Sequence, residues 1–183
     1  VAYRDNLMLN LLALKPIRLK NFAELRIGTS LRLVAGEWLI DIPGEETKNG
    51  DPILFEVPRV VQPYLETYLG HVRPAFLAKA LKANDYLWLA YEGQPLNVHS
   101  VYLRFIFLTT RLFGHSINPH LLRDCAATTL STRSVDDALS AASLLGHRSF
   151  STTERHYIRA NQLAASRQIT AALKSVKSAA KET

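Results

Sequence analysis

The sequence predicts a mainly α-helical fold with a small three-stranded antiparallel sheet near the N-terminus. Three observations carry this. Apolar residues recur at three- and four-residue spacing through most of the 183 residues. Short extended runs with apolar–polar alternation are confined to a window around residues 31–57. Turn signals punctuate that window, and beyond Pro58 the strand signals cease.

The elements follow in order. Leu7, Leu11, Leu12 and Leu14 give residues 3–15 one apolar helical face, which Pro16 interrupts. Ile17, Phe22 and Leu25 resume a helical pattern. Leu31 and Leu33, then Trp38, Ile40 and Ile42, alternate with polar neighbours, and Ile53 to Val57 forms a third extended run. Gly36 separates the first two strands. Pro43-Gly44 and Asn49-Gly50-Asp51-Pro52 separate the second from the third, and that second connection carries Lys48. Residues 60–69 and 74–82 read as helices, and 83–97 as a loop containing Gly93 and Pro95. Further helices are expected over 98–113, 119–131, 135–144 and 152–159. A last helix over about 161–180 has Ile169, Leu173 and Val176 as a narrow apolar stripe and Lys174, Lys177 and Lys181 near its end. No repeat or low-complexity linker interrupts the chain, so residues 1–183 read as a single domain.

Composition excludes several classes. Hydrophobic residues make up 48% and charged residues 21%, which rules out a disordered tail, a collagen-like chain or a coiled-coil rod. No apolar run approaches the ~20 residues that cross a bilayer. The opening segment carries Asp5 and lacks a cleavage-site pattern, unlike a signal peptide. The single cysteine, Cys125, excludes an internal disulfide and a cysteine-based zinc site, and reads as a small buried packing residue. These features point to a soluble, cytoplasmic protein. Charge is divided unevenly: residues 1–103 hold 11 basic and 11 acidic side chains, whereas 104–183 hold 11 basic against 5 acidic. A basic C-terminal part fits either a polyanion partner or a solvated basic surface.

The six histidines lack metal-site spacing: His115 and His120 are five apart, His147 and His156 nine apart, and no HExxH occurs. No GxGxxG, Walker loop or GxSxG elbow is present, so no cofactor is indicated. The strongest local feature is Pro119-His120-Leu121-Leu122-Arg123-Asp124. A helix starting at Asn118 or Pro119 places His120 and Arg123 on one face of its first turn, a combination suited to phosphate. Taken alone, it reads first as the start of an exposed helix with an Arg–Asp pair.

Further elements follow it: Leu144-Leu145-Gly146-His147-Arg148-Ser149, then Ser151-Thr152-Thr153 and His156-Tyr157. In that order, His-x-x-Arg, Leu-Gly-His and a downstream Tyr resemble the signature of the tyrosine recombinases, the phage-integrase family. Upstream, Pro16-Ile17-Arg18-Leu19-Lys20-Asn21 resembles that family's first-arginine helix, and Lys48 stands where the family keeps a catalytic lysine on a hairpin turn. The resemblance runs from about residue 5 to 175 and departs from the family pattern twice. Asn21 stands where a carboxylate is usual, and the step from His147 to Tyr157 is ten residues instead of the commoner nine. Tyr157 is the only tyrosine after Tyr102, so it has no rival downstream.

What the resemblance implies is a tyrosine recombinase catalytic-domain fold and site-specific DNA recombination or integration. The partners would be double-stranded DNA and further copies of the chain, four to a complex. The candidate catalytic residues are Arg18, Lys48, His120, Arg123, His147 and the nucleophile Tyr157. The chemistry is consistent with these residue types. Two arginines neutralise the phosphodiester oxygens and hold the pentacoordinate phosphorus. A tyrosine whose ordinary pKa is about 10 needs a base or proton relay, here His120, to attack. His147 donates to a phosphate oxygen, and Lys48 protonates the leaving 5′ oxygen. No metal or other cofactor is implied, and the setting is the prokaryotic cytoplasm, on the nucleoid when DNA is bound. The family's N-terminal DNA-gripping domain has no counterpart in this sequence, and the helix over 161–180 is expected either to dock on a neighbouring protomer or to fold back. The same residues fit two alternatives: a type IB topoisomerase, and a DNA-binding remnant that has lost catalysis.

Overall fold

The computed structural model describes residues 1–131. The predicted helices over 135–144, 152–159 and 161–180 lie outside the described residues. The chain divides into two compact units, Val1–Asp124 and Cys125–Thr183; the first holds almost everything described below.

Helix α1 (Ala2–Leu14) buries Leu7, Met8, Leu11 and Leu12 along one face. Pro16 ends it, and Lys15 before the proline is pushed out of the helical region to φ −134°, ψ 80°. Helix α2 (Leu19–Ala23) is shorter than the pattern from Ile17 to Leu25 predicts. The Ile17 N–H turns back to the Lys15 carbonyl at 2.8 Å, and Arg18 is still extended at ψ 138°. The first helical bond therefore runs from Phe22 N–H to the Arg18 carbonyl, 2.9 Å.

The three predicted strands form one antiparallel sheet in the order β1 (Leu31–Val34), β2 (Glu37–Ile42), β3 (Ile53–Glu56). Ala35 and Gly36 both have positive φ, 50° and 85°, as a two-residue hairpin turn between right-twisted strands requires. The register aligns Leu31 with Ile40 and Ile40 with Phe55. That row is buried, while Leu54, next to Phe55, points to the opposite face. Leu33 shares the face of Leu31 but lies by the hairpin end of the sheet and is exposed.

Beyond the sheet come α3 (Gln62–Thr67), a wide π turn (Tyr68–Val72) and α4 (Arg73–Leu77). The π turn is not visible in the apolar spacing. Pro74 lacks the N–H that would close an ordinary α turn onto Gly70, which accounts for the widening at this point. Helix α5 (Val98–Phe113) matches its predicted bounds: Asn97 accepts from the Ser100 N–H at 2.8 Å at its start, and Gly114 at φ 77° closes it. Helix α6 (Pro119–Ser131) likewise starts where the sequence places it.

The core is centred on Trp88, which is fully buried. Phe22 stacks on it with ring centroids 5.0 Å apart, Tyr68 packs on it at 5.7 Å, and its indole N–H donates to the Phe22 carbonyl at 2.9 Å. The loop over 83–97 thus delivers a core residue that locks the short helix α2 in place. Beside it lies a charged network. Asp5, at 0% exposure, accepts from Arg4 Nε at 2.9 Å and from Arg104 Nε at 2.8 Å, joining α1 to α5. Among the described residues, no helix is long and apolar enough to cross a membrane.

Candidate active site

The segment Pro16–Arg18 and the first turn of α6 meet. Helix α6 is set up by the turn before it: the buried Thr109 hydroxyl of α5 accepts from the Ile117 N–H at 3.1 Å, and the Asn118 side chain accepts from the His120 N–H at 2.9 Å. Pro119 at the first helical position suits the geometry, since it has no N–H to leave orphaned. One turn in, Arg123 points inward and is 7% exposed. Its Nη1 donates to the Pro16 carbonyl at 2.6 Å, two residues before Arg18.

Electrostatics report the same proximity. The Arg123 guanidinium is lowered to about 10, first by burial and then by the positive charge of Arg18, against a smaller opposing pull from Asp124. It remains cationic at neutral pH. Two guanidinium charges are therefore held close enough to repel, in a partly desolvated setting where an anion placed with them would be strongly favoured. A small cavity of about 110 Å³ lies at this junction, lined by Leu12, Ile17, Leu19, Asn118, Pro119, His120 and Arg123. His120 is exposed at its rim and half-buried Arg18 lies between two of the lining residues.

Lys48 stands on the connection between β2 and β3 and is exposed. The connection begins with a 3₁₀ turn, Gly44–Glu46, and is tied to α2 by Asn21, whose Nδ2 donates to the Glu46 carbonyl at 2.9 Å. Sequence reasoning treats Asn21 only as a departure from the family carboxylate beside Arg18. The bond found instead reaches the lysine turn, and a backbone acceptor leaves no residue signature by which to foresee it.

The described residues thus bring Arg18, His120 and Arg123 to one junction and tie the Lys48 turn to the helix that Arg18 begins. His147 and Tyr157 lie outside the described residues. Cys125 corrects an expectation: it is exposed, not a buried packing residue. Two residues beyond Arg123 it is turned by ~200° around α6, so the turn that faces Arg123 inward faces Cys125 outward. Trp38 and Trp88 serve packing, as their sequence setting indicates; Trp38 is partly buried and Trp88 wholly so. Among the described residues, no group of three or more His, Cys, Asp or Glu side chains is placed to hold a metal ion.

Comparison with solved structures places this architecture. The chain is similar to XerH site-specific recombinase bound to palindromic difH substrate in a post-cleavage complex, with TM-score 0.67 and 18% identity, covering 91% of this chain and 45% of that one. It is similar to XerH bound to difH substrate in a pre-cleavage complex, with TM-score 0.66 and 18% identity over 84% of this chain and 42% of that one. XerA recombinase gives TM-score 0.64 and 18% identity over 85% of this chain and 52% of that one. The chain spans about half the length of these recombinases, and at this identity the likeness establishes the fold, that of a tyrosine recombinase catalytic domain. Comparison with curated protein sequences gives no match. The Phage integrase family matches residues 1–163, which takes in Arg18, Lys48, His120, Arg123, His147 and Tyr157 in order. The chain belongs to the phage integrase family.

Proposed function

We propose that the chain is the catalytic part of a site-specific DNA recombinase that breaks and rejoins strands through a 3′-phosphotyrosyl intermediate. One observation carries the reading: Arg123 is bonded to the backbone two residues from Arg18 and feels its charge. Such a pair suits the non-bridging oxygens of a phosphodiester, whose negative charge otherwise repels a nucleophile. Family membership and a fold shared with recombinases in complex with DNA substrates support it.

In the proposed reaction the Tyr157 oxygen attacks phosphorus, a new P–O bond to tyrosine forms, and the bond to the 5′ oxygen breaks. His120 accepts or relays the phenolic proton, Lys48 gives a proton to the departing 5′ oxygen, and His147 donates to a phosphate oxygen. The reverse step, attack by a 5′-hydroxyl from a partner strand, releases the tyrosine and seals the exchange. The phosphotyrosine conserves the bond energy, so the cycle balances without nucleotide hydrolysis. Strand exchange between two duplexes calls for four protomers, and the apolar stripe Ile169, Leu173 and Val176 is the segment we assign to protomer contact.

The test uses a pool of nicked duplexes with randomised flanks, from which the short fragment bearing the freed 5′-hydroxyl diffuses away. The full chain is expected to give a protein–DNA adduct that survives denaturation, and Tyr157→Phe to give none while still binding DNA. No adduct from the unaltered chain, or a normal yield from the variant, overturns the reading.

A further inference from the structure

We propose that Asn21 is a positioning residue for Lys48, holding the lysine-bearing turn on helix α2 at a fixed distance from Arg18. The inference rests on the reading of Lys48 as proton donor to the leaving oxygen. Its basis is the 2.9 Å bond from Asn21 Nδ2 to the Glu46 carbonyl. Asn21 is 4% exposed, so water does not substitute readily for this partner. A carbonyl oxygen can only accept. An amide supplies the donor it needs, whereas the ionised carboxylate usual at this position in the family cannot. The departure at residue 21 therefore matches the partner it faces.

The turn beyond Glu46 is built to transmit that anchor. The Glu46 N–H bonds the Pro43 carbonyl at 3.1 Å and the Thr47 N–H bonds the Gly44 carbonyl at 3.0 Å. The Thr47 hydroxyl lies 3.0 Å from the Gly44 carbonyl and 2.9 Å from that of Asp51, bridging the two limbs. The limbs approach so closely at Gly44 that a Cβ there would run into the Gly50 carbonyl, and Gly50 itself sits at φ +80°. Lys48, two residues from the anchored carbonyl, is thus presented from a closed turn whose base is fixed to α2. Arg18 caps the same helix three residues before Asn21. Asn21 therefore sets the spacing between the charge that holds phosphate and the group that protonates the leaving oxygen.

The experiment compares cleavage of an ordinary nicked duplex with one whose leaving 5′ oxygen is replaced by sulfur, since a thiolate departs without a proton. Asn21→Asp removes the donor at nearly constant shape. Thr47→Val loosens the same turn from the less buried side, and decides the matter if Asn21→Asp does not fold. Each is expected to slow the ordinary substrate by about 10–100-fold, as small misplacements of a catalytic group do, and the sulfur substrate by less than about threefold. Combining Asn21→Asp with Lys48→Ala should add nothing on the ordinary substrate. Equal slowing on both substrates, or no slowing on either, overturns the proposal. Lys48→Ala alone keeps the two levels apart. If it shows no sulfur rescue, the role of Lys48 fails; if it is rescued and Asn21→Asp is not, only the positioning role fails.

Discussion

Arg123 Nη1 donates to the Pro16 carbonyl at 2.6 Å, a bond that spans 107 positions of sequence. It joins the start of α6 to the two residues leading into Arg18. Arg123 is buried and Arg18 half-buried, so both charges are partly withdrawn from water. Held near each other, they concentrate positive charge beside the buried, oriented fork of Arg123.

Arg123→Lys keeps the charge but cannot reproduce that fork. The amine reaches either the Pro16 carbonyl or the phosphate, and not both in one plane. Single-turnover cleavage is expected to slow by the equivalent of about 2–4 kcal/mol in the barrier, the range for losing a transition-state donor. A rate within about threefold of the unaltered chain would contradict the assignment.

Asp5→Ala should destabilise the fold by about 3–5 kcal/mol, because it leaves the buried Arg4 and its neighbour Arg104 without their shared counter-charge. Asp5 is wholly buried and accepts from both guanidiniums. The midpoint of urea unfolding measures the effect, and a loss below about 1 kcal/mol would show that the network is dispensable.

Tyr68 gives a prediction in pH. Burial pushes its phenol from 10.0 up to about 12, while the bond of its hydroxyl to the Leu87 carbonyl, 2.9 Å, holds the neutral form in place. Between pH 10 and pH 12 the unfolded chain releases this proton and the folded chain keeps it. Stability therefore falls with rising pH across that window. Tyr68→Phe should cost about 1 kcal/mol at neutral pH through the lost hydrogen bond, yet lose less further stability between pH 10 and pH 12 than the unaltered chain. Parallel slopes of urea midpoint against pH would contradict this.

The elements were legible because their signals are local. The alternation that places Leu31, Ile40 and Phe55 on one face, the Asn97 and Gly114 ends of α5, and Pro119 at the head of α6 each depend on neighbours a few residues away. What escaped sequence reading depends on distant or anonymous partners. Asp5 is tied to Arg104 from 99 positions away. Asn21 and Arg123 both bind backbone carbonyls, which any residue type could supply. The π turn at Tyr68–Val72 arises from a missing N–H at Pro74 within an otherwise unbroken helical pattern. The candidate residues could be named from order and spacing, but the bonds that orient them could not.

The most direct test of the central claim is to find where DNA becomes attached. The adduct trapped from a nicked duplex is digested with nuclease and trypsin, and the peptide that retains a nucleotide is sequenced by mass spectrometry. Cleavage after Arg155 and Arg159 yields the tetrapeptide His156–Arg159. A 3′-phosphonucleotide ester on Tyr157 within that peptide is the expected result. A nucleotide on any other residue, or an adduct free of covalent phosphate, would contradict it.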